Sequence, residues 1–105
     1  MLALEPATGK LRWYFQYTPY DLPDWDAVQT PVLVDAPFPG KTRKLLLQAN
    51  RNGFFYVLDR ETGKFLLGQP FINKLTWATG IGADGSRCED LPFGRGSHEL
   101  DVYFV

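Results

Sequence analysis

Thiols are almost missing from this chain: Cys88 is the single cysteine among 105 residues. That excludes an internal disulfide framework and a cysteine-rich metal site, and it leaves cysteine usage silent about compartment. Surplus charge of either sign is missing too. Eleven Lys and Arg stand against twelve Asp and Glu, a formal charge of −1 with no basic run, which argues against a nucleic-acid partner. No apolar run approaches the ~20 residues that span a bilayer, so no membrane span is expected. The start, MLALEPATGK, has neither the charged lead nor the apolar core of a signal peptide. Read as a complete chain, it would be soluble and cytoplasmic. No segment keeps a helical period over three turns.

What is present is aromatic and turn-rich. Hydrophobic residues make up 45% and aromatic residues 15%, with ten Gly and eight Pro. Such a composition favours short strands joined by turns, at a size that buries a modest core. Two segments resemble each other. Ala3–Trp13 (ALEPATGKLRW) and Val57–Leu67 (VLDRETGKFLL) superpose on Thr-Gly-Lys with an offset of 54 residues. Each reads as a strand, an acidic turn with Gly at positive φ, and a returning strand. A strand–turn–strand unit recurring at ~40–50 residues is the signature of propeller blades, each too small to bury its face alone. Two hairpins that merely share a common turn are the plain alternative.

Further strands are expected at Leu11–Tyr17, Thr30–Val34, Arg43–Gln48 and Phe54–Leu58. The first should pair back on the opening strand, and Asp35–Thr42 (DAPFPGKT) reads as a Pro/Gly loop. Asn52-Gly53 is a two-residue hairpin signal between the last two strands. The fold class is therefore all-β, one to two blades of an incomplete propeller. From Ser86 onward the blade pattern stops, and the mixed segment to Val105 reads as loop or as sequence foreign to the domain.

One stretch concentrates acid: YDLPDWDAVQTP carries Asp21, Asp24 and Asp26 around Pro23 and Trp25. In extended backbone Asp24 and Asp26 would project together, disposed to bind a hard, oxygen-seeking cation. A cation there would keep both acids ionised. The same residues serve equally as an Asx-rich turn that caps backbone N–H groups. The spacing by itself favours the turn.

The ordered blocks Pro19–Pro31 (PYDLPDWDAVQTP), Arg43–Arg60 (RKLLLQANRNGFFYVLDR), Thr62–Phe65 (TGKF) and Thr76–Gly85 (TWATGIGADG) closely resemble the quinoprotein alcohol dehydrogenases. These are eight-bladed propellers that use pyrroloquinoline quinone (PQQ) and a metal. ALEPATGKLRW is similar to their tryptophan-docking repeat, and VLDRETGKFLL to a degenerate copy with Leu67 in place of the Trp. The resemblance runs from Ala3 to Gly85. It implies a partial propeller over residues 1–85, with 86–105 a divergent tail, as a frameshift would produce. It also implies that the chain is a piece of a longer dehydrogenase, inactive in isolation, in which PQQ takes hydride from a primary or similar alcohol to give the aldehyde.

Carried over position by position, the resemblance makes Asp24 the catalytic base, close to the metal. Asp26 matches an additional acid that ligates the metal in a lanthanide-using branch, so Ca²⁺ or a lanthanide is implied. Arg51 matches the basic residue that hydrogen-bonds the reactive carbonyl side of PQQ. Pro23 departs from the family, which usually has an aromatic residue there; proline fixes φ and removes an N–H. Asp21 stays a turn residue, and Trp13 and Trp25 packing residues. The implied electron acceptor is a cytochrome c or a quinone, any haem c domain would lie outside this stretch, and the implied location is the periplasm. A non-catalytic PQQ-repeat scaffold and a truncated product without function are the other readings. The scaffold has no reason to keep Asp24, Asp26 and Arg51 together.

Overall fold

The computed structural model describes residues 1–18, 26–75, 78, 80–82 and 88–89. Among them it is all strand, without a helix, and no helix long and apolar enough to cross a membrane occurs. A hairpin of β1 (Leu2–Leu4) and β2 (Leu11–Tyr14) comes first. An antiparallel meander follows: β3 (Val32–Pro37), β4 (Thr42–Ala49), β5 (Phe54–Asp59) and β6 (Phe65–Pro70), in the spatial order β3-β4-β5-β6. A two-residue pair, β7 (Gly80–Ile81) with β8 (Cys88–Glu89), closes the series. The four-stranded sheet is one blade, and β1–β2 is a separate two-stranded sheet. The propeller is not closed.

The repeat seen in the sequence is a repeat of hydrogen bonds. In the first copy the Gly9 N–H donates to the Glu5 carbonyl at 2.8 Å, and the Glu5 N–H to the Lys10 carbonyl at 2.8 Å. In the second copy the Gly63 N–H donates to the Asp59 carbonyl at 2.8 Å, and the Asp59 N–H to the Lys64 carbonyl at 2.9 Å. The Lys10 and Lys64 amides donate to the Thr8 and Thr62 hydroxyls at 3.3 and 3.2 Å. Both glycines sit at positive φ, 69° and 74°, where an L side chain is strained.

Three sequence expectations are corrected. The expected strand Leu11–Tyr17 ends at Tyr14, although Phe15 and Tyr17 still reach the core. The expected strand Thr30–Val34 begins at Val32 and runs on to Pro37, so Asp35–Thr42 is not one loop. Asp35 pairs with Lys44, Ala36 with Arg43 and Pro37 with Thr42, leaving only residues 38–41 as the turn. Pro37 fits because β3 is an edge strand, where a missing N–H breaks no ladder. Cys88 and Glu89 pair with Ile81 and Gly80, so these two residues of the stretch read as loop are strand.

The core lies between the β2 end of the chain and one face of the blade. Leu46, Phe54, Tyr56 and Leu58 point to that face, and Phe15, Tyr17 and Ala78 cover it. Phe15 is the hub: its ring stacks on Phe65 at 6.0 Å and meets Tyr17 and Tyr56 edge-on at 5.4 and 5.9 Å. Such aromatic pairs add ~0.5–1.5 kcal/mol each beyond the area they bury. Leu67, where the repeat would place a second Trp, is 37% exposed.

Trp13 joins the two sheets. Its indole N–H donates to the Arg60 carbonyl at 2.9 Å, and its ring lies on the Gly63 backbone. A methyl group added at Gly63 would come within 2.7 Å of Trp13 Cε3, whereas one added at Gly9 meets nothing within 4 Å. Gly9→Ala should therefore cost only the backbone strain, ~1–2 kcal/mol. Gly63→Ala, with the same strain plus the clash, should cost at least ~1 kcal/mol more. Urea unfolding of the two variants checks this; equal losses would show that Trp13 does not depend on the glycine.

Candidate functional site

Arg51 owes its place to the turn between β4 and β5. The Gly53 N–H donates to the Asn50 carbonyl at 3.0 Å and the Asn50 N–H to the Phe54 carbonyl at 2.9 Å, which leaves Arg51, Asn52 and Gly53 as a three-residue loop. Gly53 has φ +93°. The expected two-residue Asn-Gly turn is thus replaced by a turn with Arg51 and Asn52 at its centre and Gly at its left-handed fourth position. Asn at the first position and Gly at the fourth of the run Asn50–Gly53 is the sequence signal for that geometry.

The two central side chains go opposite ways. Arg51 is exposed at the tip, with 59% of its side chain accessible. Asn52 is buried beneath it. The tip is also held from outside: Ile72 and Leu75 lie where a Gly53 side chain would be, and the Phe71 N–H donates to the Gly53 carbonyl at 3.0 Å.

The guanidinium of Arg51 meets the Asp26 carboxylate, Nη1 to Oδ2 at 3.7 Å. Two of the three residues singled out in the sequence, 25 positions apart, are therefore in one place. Asp24, Asp21, Pro23 and Trp25 lie outside the described residues. The Asp26 side chain is 61% accessible, so the pair is solvated and contributes under ~1 kcal/mol to stability.

A buried polar network underlies this pair. The two hydrogens of the Asn52 side-chain amide are shared among three acceptors, the Thr18 Oγ1 at 3.0 Å, the Tyr56 hydroxyl oxygen at 2.8 Å and the Tyr17 carbonyl at 3.3 Å. The Asn52 Oδ1 accepts from the Phe54 N–H at 3.1 Å. The Tyr56 hydroxyl donates to the same Tyr17 carbonyl at 2.6 Å. Tyr17 in turn donates its hydroxyl to Gln48 Oε1 at 2.8 Å. Sequence reasoning took Asn52 only as a turn residue and passed over Tyr56 and Gln48. Gln48 and Tyr56 are cross-strand partners on the core face, and a Gln in the inward phase of β4 is the signal that a polar core lay there.

Arg51 and Asp26 fit parts of a cofactor and a metal site, not all of one. A guanidinium suits carboxylate or quinone oxygens, and a carboxylate suits a hard cation. Among the described residues no group of three or more His, Cys, Asp or Glu could hold a metal. Asp26 alone is one carboxylate, short of the set a metal needs.

Over residues 1–69 the chain matches the family described as PQQ, the glucose/ethanol/alcohol dehydrogenase beta-propeller domain. It belongs to that family. It is 50% identical over 84 residues to the quinoprotein alcohol dehydrogenase PedH of Pseudomonas putida, covering 80% of this chain and 14% of that protein. To the 1-butanol dehydrogenase (cytochrome c) of Thauera butanivorans it is 40% identical over 104 residues, covering 99% of this chain and 15% of that protein. Its structure superposes on a europium-containing methanol dehydrogenase with a TM-score of 0.76 and 41% identity, over 87% of this chain and 16% of the other. The chain therefore spans only about a seventh of the length of the relatives it matches.

The buried phenol gives the site a pH limit. Desolvation pushes Tyr17 well above the usual tyrosine range, so the neutral form that donates to Gln48 is the folded one. A pKa raised in the folded state means stability that is complete below the unfolded value, about 10, and lost as pH rises above it. Unfolding free energy should therefore fall above about pH 10. Tyr17→Phe should flatten that fall; an unchanged alkaline slope in denaturant titrations would remove Tyr17 as its source.

Proposed function

We propose that this chain is part of a PQQ-dependent alcohol dehydrogenase, in which it contributes the base and one cofactor-binding cation. The observation that carries this reading is the Arg51–Asp26 contact at a hairpin tip, in a chain of the PQQ dehydrogenase family. A cation and an acid held side by side match a reaction that moves a proton one way and negative charge another.

In this reading Asp24 is the general base and takes the hydroxyl proton of the alcohol. When bound, PQQ supplies the two-electron acceptor that receives hydride from the alcohol carbon, while Ca²⁺ or a lanthanide beside it acts as Lewis acid. The alcohol loses one proton and one hydride and leaves as the aldehyde. Arg51 would hold the carbonyl side of PQQ with its guanidinium. A fixed cation at a partly dehydrated site does this without reorganising solvent. Asp26 would be one of the carboxylates that hold the metal. The europium-containing relative supports a lanthanide as one admissible metal. A small alcohol as substrate and a cytochrome c as electron acceptor are supported by the butanol-oxidising relative. The periplasm is proposed on family resemblance alone.

Two outcomes test this. In the intact enzyme containing this stretch, Asp24→Asn should lower turnover by more than about a hundredfold while retaining most PQQ affinity. Wild-type rates would remove Asp24 from the mechanism. The isolated 105-residue chain should show no dye reduction with ethanol, Ca²⁺ and PQQ; sustained turnover would overturn the view that the pocket is shared with the rest of the protein.

A further inference from the structure

The residues on either side of the acidic stretch are both tied to consecutive residues of one hairpin tip. On the N-terminal side, Tyr17 and Thr18 are held by Asn52, and Tyr17 also by Tyr56. On the C-terminal side, Asp26 meets Arg51. Between these anchors lie residues 19–25, which include Asp24. Arg51 reaches outward from the peptide next to the buried Asn52, so the bonds that hold Asn52 also fix where the Arg51 guanidinium starts.

We infer that Asn52 and Tyr56 are positioning residues: a buried brace that sets Arg51 in one frame with Tyr17 and Thr18, the residues that lead into the acidic stretch. The inference rests on the dehydrogenase reading above. Neither residue is placed to touch an alcohol, since both are fully buried. Asn52 donates to the Thr18 hydroxyl and the Tyr17 carbonyl, and Tyr56 to the same carbonyl, just before the acidic stretch. A fold needing only a core could use Phe at position 56, because the ring packing with Phe15, Tyr17 and Phe54 requires no hydroxyl. The hydroxyl adds direction: it accepts from Asn52 and donates to the Tyr17 carbonyl, which locks the two segments at one separation. Buried networks of this kind rigidify when every member is satisfied. Misplacing a catalytic group by ~1 Å can cost about a hundredfold in rate, so a brace directly beneath the Arg51 cation bears on turnover.

Tyr56→Phe in the intact enzyme is the test, with Gly9→Ala as a destabilised control, because a methyl group at Gly9 meets nothing within 4 Å and costs only backbone strain. Tyr56→Phe should lower kcat about tenfold with KM nearly unchanged, and should shift the acid limb of the kcat–pH profile. Binding of PQQ to the apo-enzyme, read by fluorescence quenching, should weaken severalfold. Gly9→Ala, though it also lowers the thermal midpoint, should leave kcat, the pH profile and PQQ affinity within about twofold. Equal effects of the two variants would reduce Tyr56 to a structural residue, as would an unchanged pH profile and PQQ affinity in Tyr56→Phe. An inactive Asp24→Asn beside a normal Tyr56→Phe would overturn the brace and leave the dehydrogenase reading standing. An active Asp24→Asn would overturn the proposed base, while the PQQ titration would still decide the brace.

Discussion

The structure depends on the contact between Trp13 and the Arg60–Gly63 turn. The first hairpin and the four-stranded sheet share no backbone ladder, so side chains must set how they meet. Trp13 does this with two demands in one place. Its ring requires a flat seat, which Gly63 provides by having no side chain, and its N–H requires a carbonyl, which Arg60 offers at 2.9 Å. The seat itself is fixed. The Arg60 N–H donates to the Lys44 carbonyl at 2.9 Å, and its guanidinium meets Asp35 at 2.7 Å. The turn is thus tied to both β3 and β4 before Trp13 arrives. Gly63 answers two requirements at once, positive φ for the turn and an open face for the indole, so no other residue type serves there.

From Trp13 onward, position follows from position. Alternate residues 13, 15 and 17 enter the core even though the strand ends at Tyr14. Trp13 sets the depth of the run, Phe15 spreads it across Phe65 and Tyr56, and Tyr17 delivers its carbonyl to the Asn52–Tyr56 pair. The apolar half of this run supplies burial energy, which has no direction. The polar half supplies direction, at a desolvation cost that only satisfied bonds offset. That division places polar groups at the end of the run nearest the acidic stretch and hydrocarbon at the end nearest the contact between the sheets.

Local chemistry was legible in the sequence, and tertiary choices were not. The 54-residue repeat could be read because Thr-Gly-Lys specifies its own turn, and the structure returns the same bonds in both copies. The extent of β3 could not. Asp35 and Pro37 look like loop residues, and they enter a strand because Arg60, distant in sequence, holds Asp35 at the edge. The Asn-Gly signal gave a hairpin at the right place with the wrong loop, because Asn52 turns inward to bond Thr18 and Tyr56 instead of sharing a two-residue turn with Gly53. Asp26 and Arg51 could be singled out together only through resemblance. No periodicity links residues 25 apart across two strands. The roles of Asn52 and Tyr56 escaped notice because an Asn before Gly reads as turn and a Tyr in a strand reads as core.

The weakness of the Arg51–Asp26 pair is consistent with the work proposed for each partner. Both side chains are more than half exposed and 3.7 Å apart, so water screens their attraction to a fraction of what a buried pair would have. A strong, dehydrated pair would hold the guanidinium on the carboxylate and oppose any other ligand for either. A solvated one holds the two charges near each other and gives way when a cation approaches the acid or an anion approaches the guanidinium. The cost of ordering then falls on the backbone beneath, where Asn52, Tyr56 and the packed Ile72 and Leu75 fix the tip. Rigidity sits in the neutral, buried bonds and availability in the charged, exposed ones, and that separation lets one hairpin be a structural anchor while its charges stay open to other partners.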